Sequence, residues 1–154
     1  MKEIIAYLAG KFADKAPSFI LLRLLPPHKV ADQIKVNLRG HNAICPNLNS
    51  ANPQIGLWFE ITNLSNLKLV LDRLLIEVWF SQPTFDGSIL RRCEIPPRGI
   101  VTDIHYQQSL TIAQKEQIES CKSNRGRIII SLTAYFESKV GRIEVKKTIE
   151  RDSV

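Results

Sequence analysis

Asp103 and His105 are the residues in this chain whose types and spacing come nearest to a catalytic pair. Lying two apart on a predicted strand, they share a face. A carboxylate orienting an imidazole is half of a nucleophilic triad. Cys93 or Cys121 would have to supply the nucleophile. Nucleophile, base and oxyanion donors must all be placed before acyl chemistry can run, and only one pair is suggested, so the pattern predicts two solvated polar residues and no enzyme. The same pair lacks a third metal ligand, and nothing calls for a cofactor. Cys45, Cys93 and Cys121 are far apart, with no C-x-x-C or C-x-x-H spacing. That argues against a zinc site or redox dithiol and for small buried hydrophobes in a reducing compartment. One disulfide stays open if the protein is exported. His28 and His41 have no carboxylate or cysteine at ligand spacing.

Basic residues are the next candidates. Arg91, Arg92, Arg98, Arg125, Arg127, Arg142, Lys146 and Lys147 fall in pairs near strand ends. Nucleic-acid binding would align them in one stripe with aromatics between them to stack bases. Aromatic residues are only 7% of the chain, and its net charge of +6 is moderate. Nucleic acid is therefore the less favoured partner, and the expectation is cations guarding exposed strand edges, the last strand especially. Residues 1–54 carry seven basic and three acidic side chains, a balance of +4, and the rest of the chain carries fourteen and twelve, a balance of +2.

These groups would sit on an all-β scaffold. From residue 55 to 149 the chain is mostly period-two hydrophobic segments, which a half-buried antiparallel sheet requires. Seven strands are predicted, at about 34–38, 55–62, 67–80, 88–94, 100–106, 128–136 and 142–149. A loop is expected over 81–87. In the third strand Leu67, Leu69 and Leu71 share one phase, and Leu74, Ile76, Val78 and Phe80 the other. Keeping both sets inward needs an extra residue, so Asp72-Arg73 reads as a β-bulge. Thr111-Ile-Ala-Gln114 has the form of a capping box and opens a short helix to about Cys121, between strands five and six. A single open sheet could not bury both sets of alternating side chains, so a sandwich with Greek-key connections is the natural closure and a small barrel the rival.

The first 33 residues read as a helical extension and connector, with the sandwich domain over 34–150. Ile4, Leu8 and Phe12 recur at helical spacing, and Phe19-Ile-Leu-Leu-Arg-Leu-Leu25 is a second apolar run. Seven residues with an arginine inside cannot span a bilayer, which takes about 20. The start Met1-Lys-Glu-Ile-Ile shows no secretory pattern. Trp58, Val70, Leu75 and Trp79 face away from the core on strands two and three, and four apolar groups there ask for a cover. The N-terminal segment is expected to lie on that face, or both are expected to bind a partner. The interaction residues are Ile4, Leu8, Phe12, Trp58 and Trp79, then Arg91, Arg92 and Arg127. A protein partner or self-association is expected. Lys11, Lys15 and Arg23 beside apolar residues also allow a membrane-surface role for the N-terminal segment.

Ile61-Thr62-Asn63 closing a strand, the long strand to Phe80, Gly87 in a hairpin, Ile95-Pro96-Pro97-Arg98-Gly99, the helix and a final strand pair occur in an order that resembles a known family. It is similar to the β-sandwich class of late-embryogenesis-abundant proteins, which carry the water-stress and hypersensitive-response domain. The resemblance covers about residues 55–150. Where the family tends to have Asn-Pro, this chain has Asn63-Leu64. The resemblance implies an immunoglobulin-like or fibronectin-III-like sandwich and a non-enzymatic binding or stress-protective role. It brings no catalytic residues. A cytoplasmic location is expected, with a position at a membrane surface as the variant.

Overall fold

The computed structural model describes residues 16–152. Its framework is two antiparallel sheets, each built around one long strand. Strand β3 (Gln54–Asn63) is the spine of the first. β1 (Ile34–Leu38) and β2 (Ile44–Asn47) lie end to end along one edge of β3, with β7 (Ile100–Ser109) along the other. Strand β4 (Leu69–Phe80) is the spine of the second sheet. On one edge it carries β5 (Gln82–Ile89) and β6 (Cys93–Ile95), and on the other β8 (Arg127–Ser138), followed by β9 (Gly141–Asp152).

Period-two alternation decides which side chains meet between the layers. On β3, Ile55, Leu57, Phe59 and Ile61 are fully buried; from the opposing sheet Leu69, Leu71, Leu74, Ile76 and Val78 are too. Ile130, Leu132, Ala134 and Phe136 of β8 complete the core. The phase change in β4 is resolved as its leucines require. The β4–β8 register shifts between Leu71 and Arg73, so Asp72 is the extra residue and both hydrophobic sets point inward.

Nine strands are present among the described residues, against an expectation of seven. β2 lies between the first two predicted strands, and most of β5 falls in the stretch expected to be loop over 81–87. Both are edge strands, where a proline's missing N–H disrupts no ladder. At the β4–β5 turn the Thr84 hydroxyl takes the place of a backbone partner: Phe80 N–H donates to its Oγ1 at 3.0 Å, and the hydroxyl O–H donates to the Gln82 carbonyl at 3.0 Å. The turn tightens to Ser81, at φ 63°, and the hairpin pairs almost at once.

A buried asparagine joins the ends of the two sheets. Asn63 is 0% exposed. Its Nδ2 donates to the carbonyls of Leu67 at 2.7 Å and Pro96 at 3.0 Å. Its Oδ1 accepts from the Ser65 N–H at 3.0 Å and the Ser65 hydroxyl at 2.6 Å. Every side-chain valence is used, as burial in an apolar core demands.

Three helices complete the described residues. Helix α1 (Ser18–Leu24) and helix α2 (Pro27–Ala31) precede the first strand. Leu21 and Val30 are fully buried in the core, and α2 packs against β9. Helix α2 thus closes the core beside β9, and Leu21 sets α1 into the same core. Helix α3 (Ile112–Ser123) begins with the expected capping box: Gln114 N–H donates to Thr111 Oγ1 at 3.2 Å, and Thr111 N–H to Gln114 Oε1 at 2.8 Å. Gln114 Nε2 also donates to the Thr84 carbonyl at 2.9 Å, and Gln117 Nε2 to that of Gln82 at 3.0 Å, so α3 ties down the start of edge strand β5. Ile118 and Cys121 anchor its inner face.

Candidate functional site

The Asp103–His105 pair lands on β7, exposed, with both side chains turned to other partners. The Asp103 carboxylate accepts from Arg91 Nη2 at 3.2 Å. The His105 ring stacks on Trp58 with centroids 4.1 Å apart and planes 25° from parallel. Register explains the stack, since His105 lies directly across from Trp58. Arg39 closes over the same indole at 5.6 Å and donates from Nη1 to the Thr102 carbonyl at 3.3 Å.

Neither thiol proposed as third member joins the pair. Cys121 is buried on the inner face of α3, with Ser81 Oγ at 3.5 Å from its sulfur. Cys93 is half-buried and near Asp103. Burial pushes its thiol above the usual range, and the Asp103 charge pushes the same way against a partial offset from Arg91. A nucleophilic cysteine needs the opposite shift. Cys45 corrects the expectation that all three cysteines are buried: it is exposed on β2, its thiol donating to the Asn42 carbonyl at 3.0 Å. Among the described residues no group of three or more histidine, cysteine or acidic side chains could hold a metal ion.

The two tryptophans were expected to share one outer face, and this needs correcting. β3 and β4 belong to different sheets, so Trp58 and Trp79 point outward on opposite sides of the molecule. No single segment could cover both. Trp58 is half-buried beneath His105 and Arg39, and Trp79 is 40% exposed. Ile4, Leu8 and Phe12 lie outside the described residues.

Five of the eight basic candidates, Arg91, Arg92, Arg127, Arg142 and Lys146, meet a carboxylate, while Arg98 donates from Nε to the Asn66 amide oxygen at 2.7 Å. Arg91 pairs with Asp103, Arg92 with Glu137 at 2.6 Å, and Arg127 with Glu150 at 3.9 Å. Arg142 reaches Asp72 at 3.5 Å and joins Arg73 over the Tyr135 ring, at 5.0 and 5.2 Å. A cation already opposite a carboxylate has less attraction left for phosphate. These pairs are solvent-exposed, where each is worth about 0–1 kcal/mol.

The most exposed cluster of apolar side chains is on α1. Leu21 anchors the helix while Phe19 is 72%, Ile20 42% and Leu22 45% exposed. Sequence reading grouped these residues with the cover for the tryptophans; the anchoring of Leu21 alone turns the others out. Among the described residues no helix is long and apolar enough to cross a membrane.

This architecture defines the class: a mostly-β protein of two antiparallel sheets with few helices. No protein-family model matches the chain, and no curated protein sequence matches it. Solved structures share the fold at low identity. One is a protein from Archaeoglobus fulgidus, 11% identical, with a TM-score of 0.50 over 77% of this chain and 92% of that one. Another is a protein from Arabidopsis thaliana, 9% identical, with a TM-score of 0.50 over 77% and 76%. A solution structure named as a candidate late-embryogenesis-abundant protein aligns more loosely and does not bear on the fold: it is 11% identical, with a TM-score of 0.42 over 99% of this chain and 88% of that one.

Proposed function

We propose that this chain is a non-catalytic binding module of the fibronectin-III-like type, which engages another protein or a second copy of itself through α1. The strand order supports that subtype: with β1/β2 and β5/β6 each read as one interrupted strand, three strands face four. The observation that carries the binding reading is the anchoring of Leu21 at 0% exposure beneath Phe19 and Leu22. An apolar pair held out by a fixed helix loses little conformational freedom on binding, so more of its burial energy appears as affinity. A stress-protective setting follows from the late-embryogenesis-abundant resemblance of residues 55–150. A cytoplasmic one goes with three cysteines that keep their thiols.

Sedimentation velocity on the intact chain and on the Phe19→Ser, Leu22→Ser double variant tests the surface. If self-association is the mode, the wild type sediments as a dimer at micromolar concentration and the variant as a monomer. For a second protein, a photo-crosslinker at position 19 forms a protein adduct in the native host, and one at Thr148 forms none. A monomer with no protein adduct at position 19 would overturn the proposal.

A further inference from the structure

The end of the sandwich where β2 faces β8 and β9 is not closed. Inward positions on β3 and β4 are fully buried or nearly so, yet Ile44 and Pro46, which face inward opposite Leu57 and Ile55, are only half-buried. The space beside them is a cleft of about 620 Å³ lined by His41, Asn42, Ile44, Pro46, Phe80, Lys122, Ile128, Arg151 and Asp152. Clefts of roughly 300–1,000 Å³ with apolar walls and a few placed polar groups are the usual form of small-molecule sites.

The walls and the rim differ in character. Ile44 and Pro46 from one sheet and Phe80 and Ile128 from the other make the apolar walls. Lys122, in the last turn of α3, and Arg151, at an inward position of β9, bring two cations to the rim. Among the described residues neither is in an ion pair, unlike Arg91, Arg92, Arg127 and Arg142. The Arg151 guanidinium donates to the carbonyls of Gly40 at 2.9 Å and His41 at 3.3 Å, which fixes it across the gap between the sheets. A guanidinium has five N–H donors, so others remain for a ligand. Asp152 at the same rim offsets one of the two cations.

We propose that this cleft binds a medium-chain carboxylate, its chain between Phe80, Ile128, Ile44 and Pro46 and its headgroup between Lys122 and Arg151. The net excess of one positive charge matches a singly charged headgroup better than a phosphate dianion. Burying each added methylene tightens binding about fourfold, from the usual transfer free energy.

The test is an amide chemical-shift titration of the intact protein with decanoate, decanol and butanoate. Decanoate should saturate and move residues 41–46, 80, 122, 128, 151 and 152. Decanol, lacking the charge, should bind at least about tenfold more weakly, the loss of one charge-assisted hydrogen bond, and butanoate, six methylenes shorter, about a thousandfold more weakly. Lys122→Gln, an exposed change, should weaken decanoate about tenfold and leave decanol unaffected. Equal binding of decanol, shifts elsewhere on the chain, no saturation, or a Lys122→Gln variant that binds decanoate like wild type would each overturn the assignment.

Discussion

Replacing Asn63 by alanine should be among the most damaging single changes in this chain. The side chain is fully buried and makes four hydrogen bonds: two donated to the Leu67 and Pro96 carbonyls, two accepted from Ser65. At a net value of about 1 kcal/mol each, the loss is about 4 kcal/mol. The Pro96 contact joins residues 33 positions apart, so no local rearrangement restores it. A domain's whole stability is about 5–15 kcal/mol. Urea unfolding followed by the fluorescence of Trp58 and Trp79 reads the effect directly. With a slope of about 2 kcal/mol/M the midpoint should fall by about 2 M, with the slope itself unchanged. Ser65→Ala leaves the two donated bonds in place and should lose about 1–2 kcal/mol. An Asn63→Ala loss under about 1 kcal/mol would show that this side chain does not lock the ends of the two sheets together.

Other consequences are more local. An added Cβ at Gly87 would sit 2.0 Å from the Tyr106 hydroxyl oxygen, so Gly87→Ala should cost about 1–3 kcal/mol, and much less in a Tyr106→Ala background, as a double-mutant cycle of unfolding curves would show. Thr111→Ala removes the α3 cap and should cost about 1 kcal/mol in thermal unfolding; no change would mean the cap bond is not formed in solution. Because burial and Asp103 both raise the Cys93 thiol, its thiolate forms at higher pH than the ordinary value of 9.0. Alkylation followed by mass spectrometry at pH 8 should therefore modify Cys93 more slowly than exposed Cys45, and a faster Cys93 would revive the nucleophile reading. The folded protein therefore loses stability as pH climbs from the unfolded thiol range through the raised folded one, because the unfolded chain gives up that proton first.

What could be read in advance was whatever depends on neighbours within one strand or helix. The inward phase of β3, β4 and β8, the bulge at Asp72 and the Thr111–Gln114 box are all local patterns, and all are present. Pairing is not local. Alternation shows that Trp58 and Trp79 face outward, but it is silent on which sheet each strand joins, and that placed them on opposite sides. The β5 hairpin depends on a threonine hydroxyl replacing a backbone partner, a choice invisible to a Pro- and Gly-based turn rule. Arg91 meeting Asp103 and Arg92 meeting Glu137 turn apparent basic patches into ion pairs only after folding. Lys122 and Arg151 reach one cleft through the closure of the sandwich, so no spacing announced them.

We propose that α1 presents Phe19 and Leu22 as a protein-contact surface. Its most direct test is photo-crosslinking from position 19 in the native host, with the adduct identified by mass spectrometry. A covalent adduct with a protein, a second copy of this chain included, is expected, and it should disappear when Leu22→Ser is added. Adducts with lipid alone, or no adduct, would contradict it.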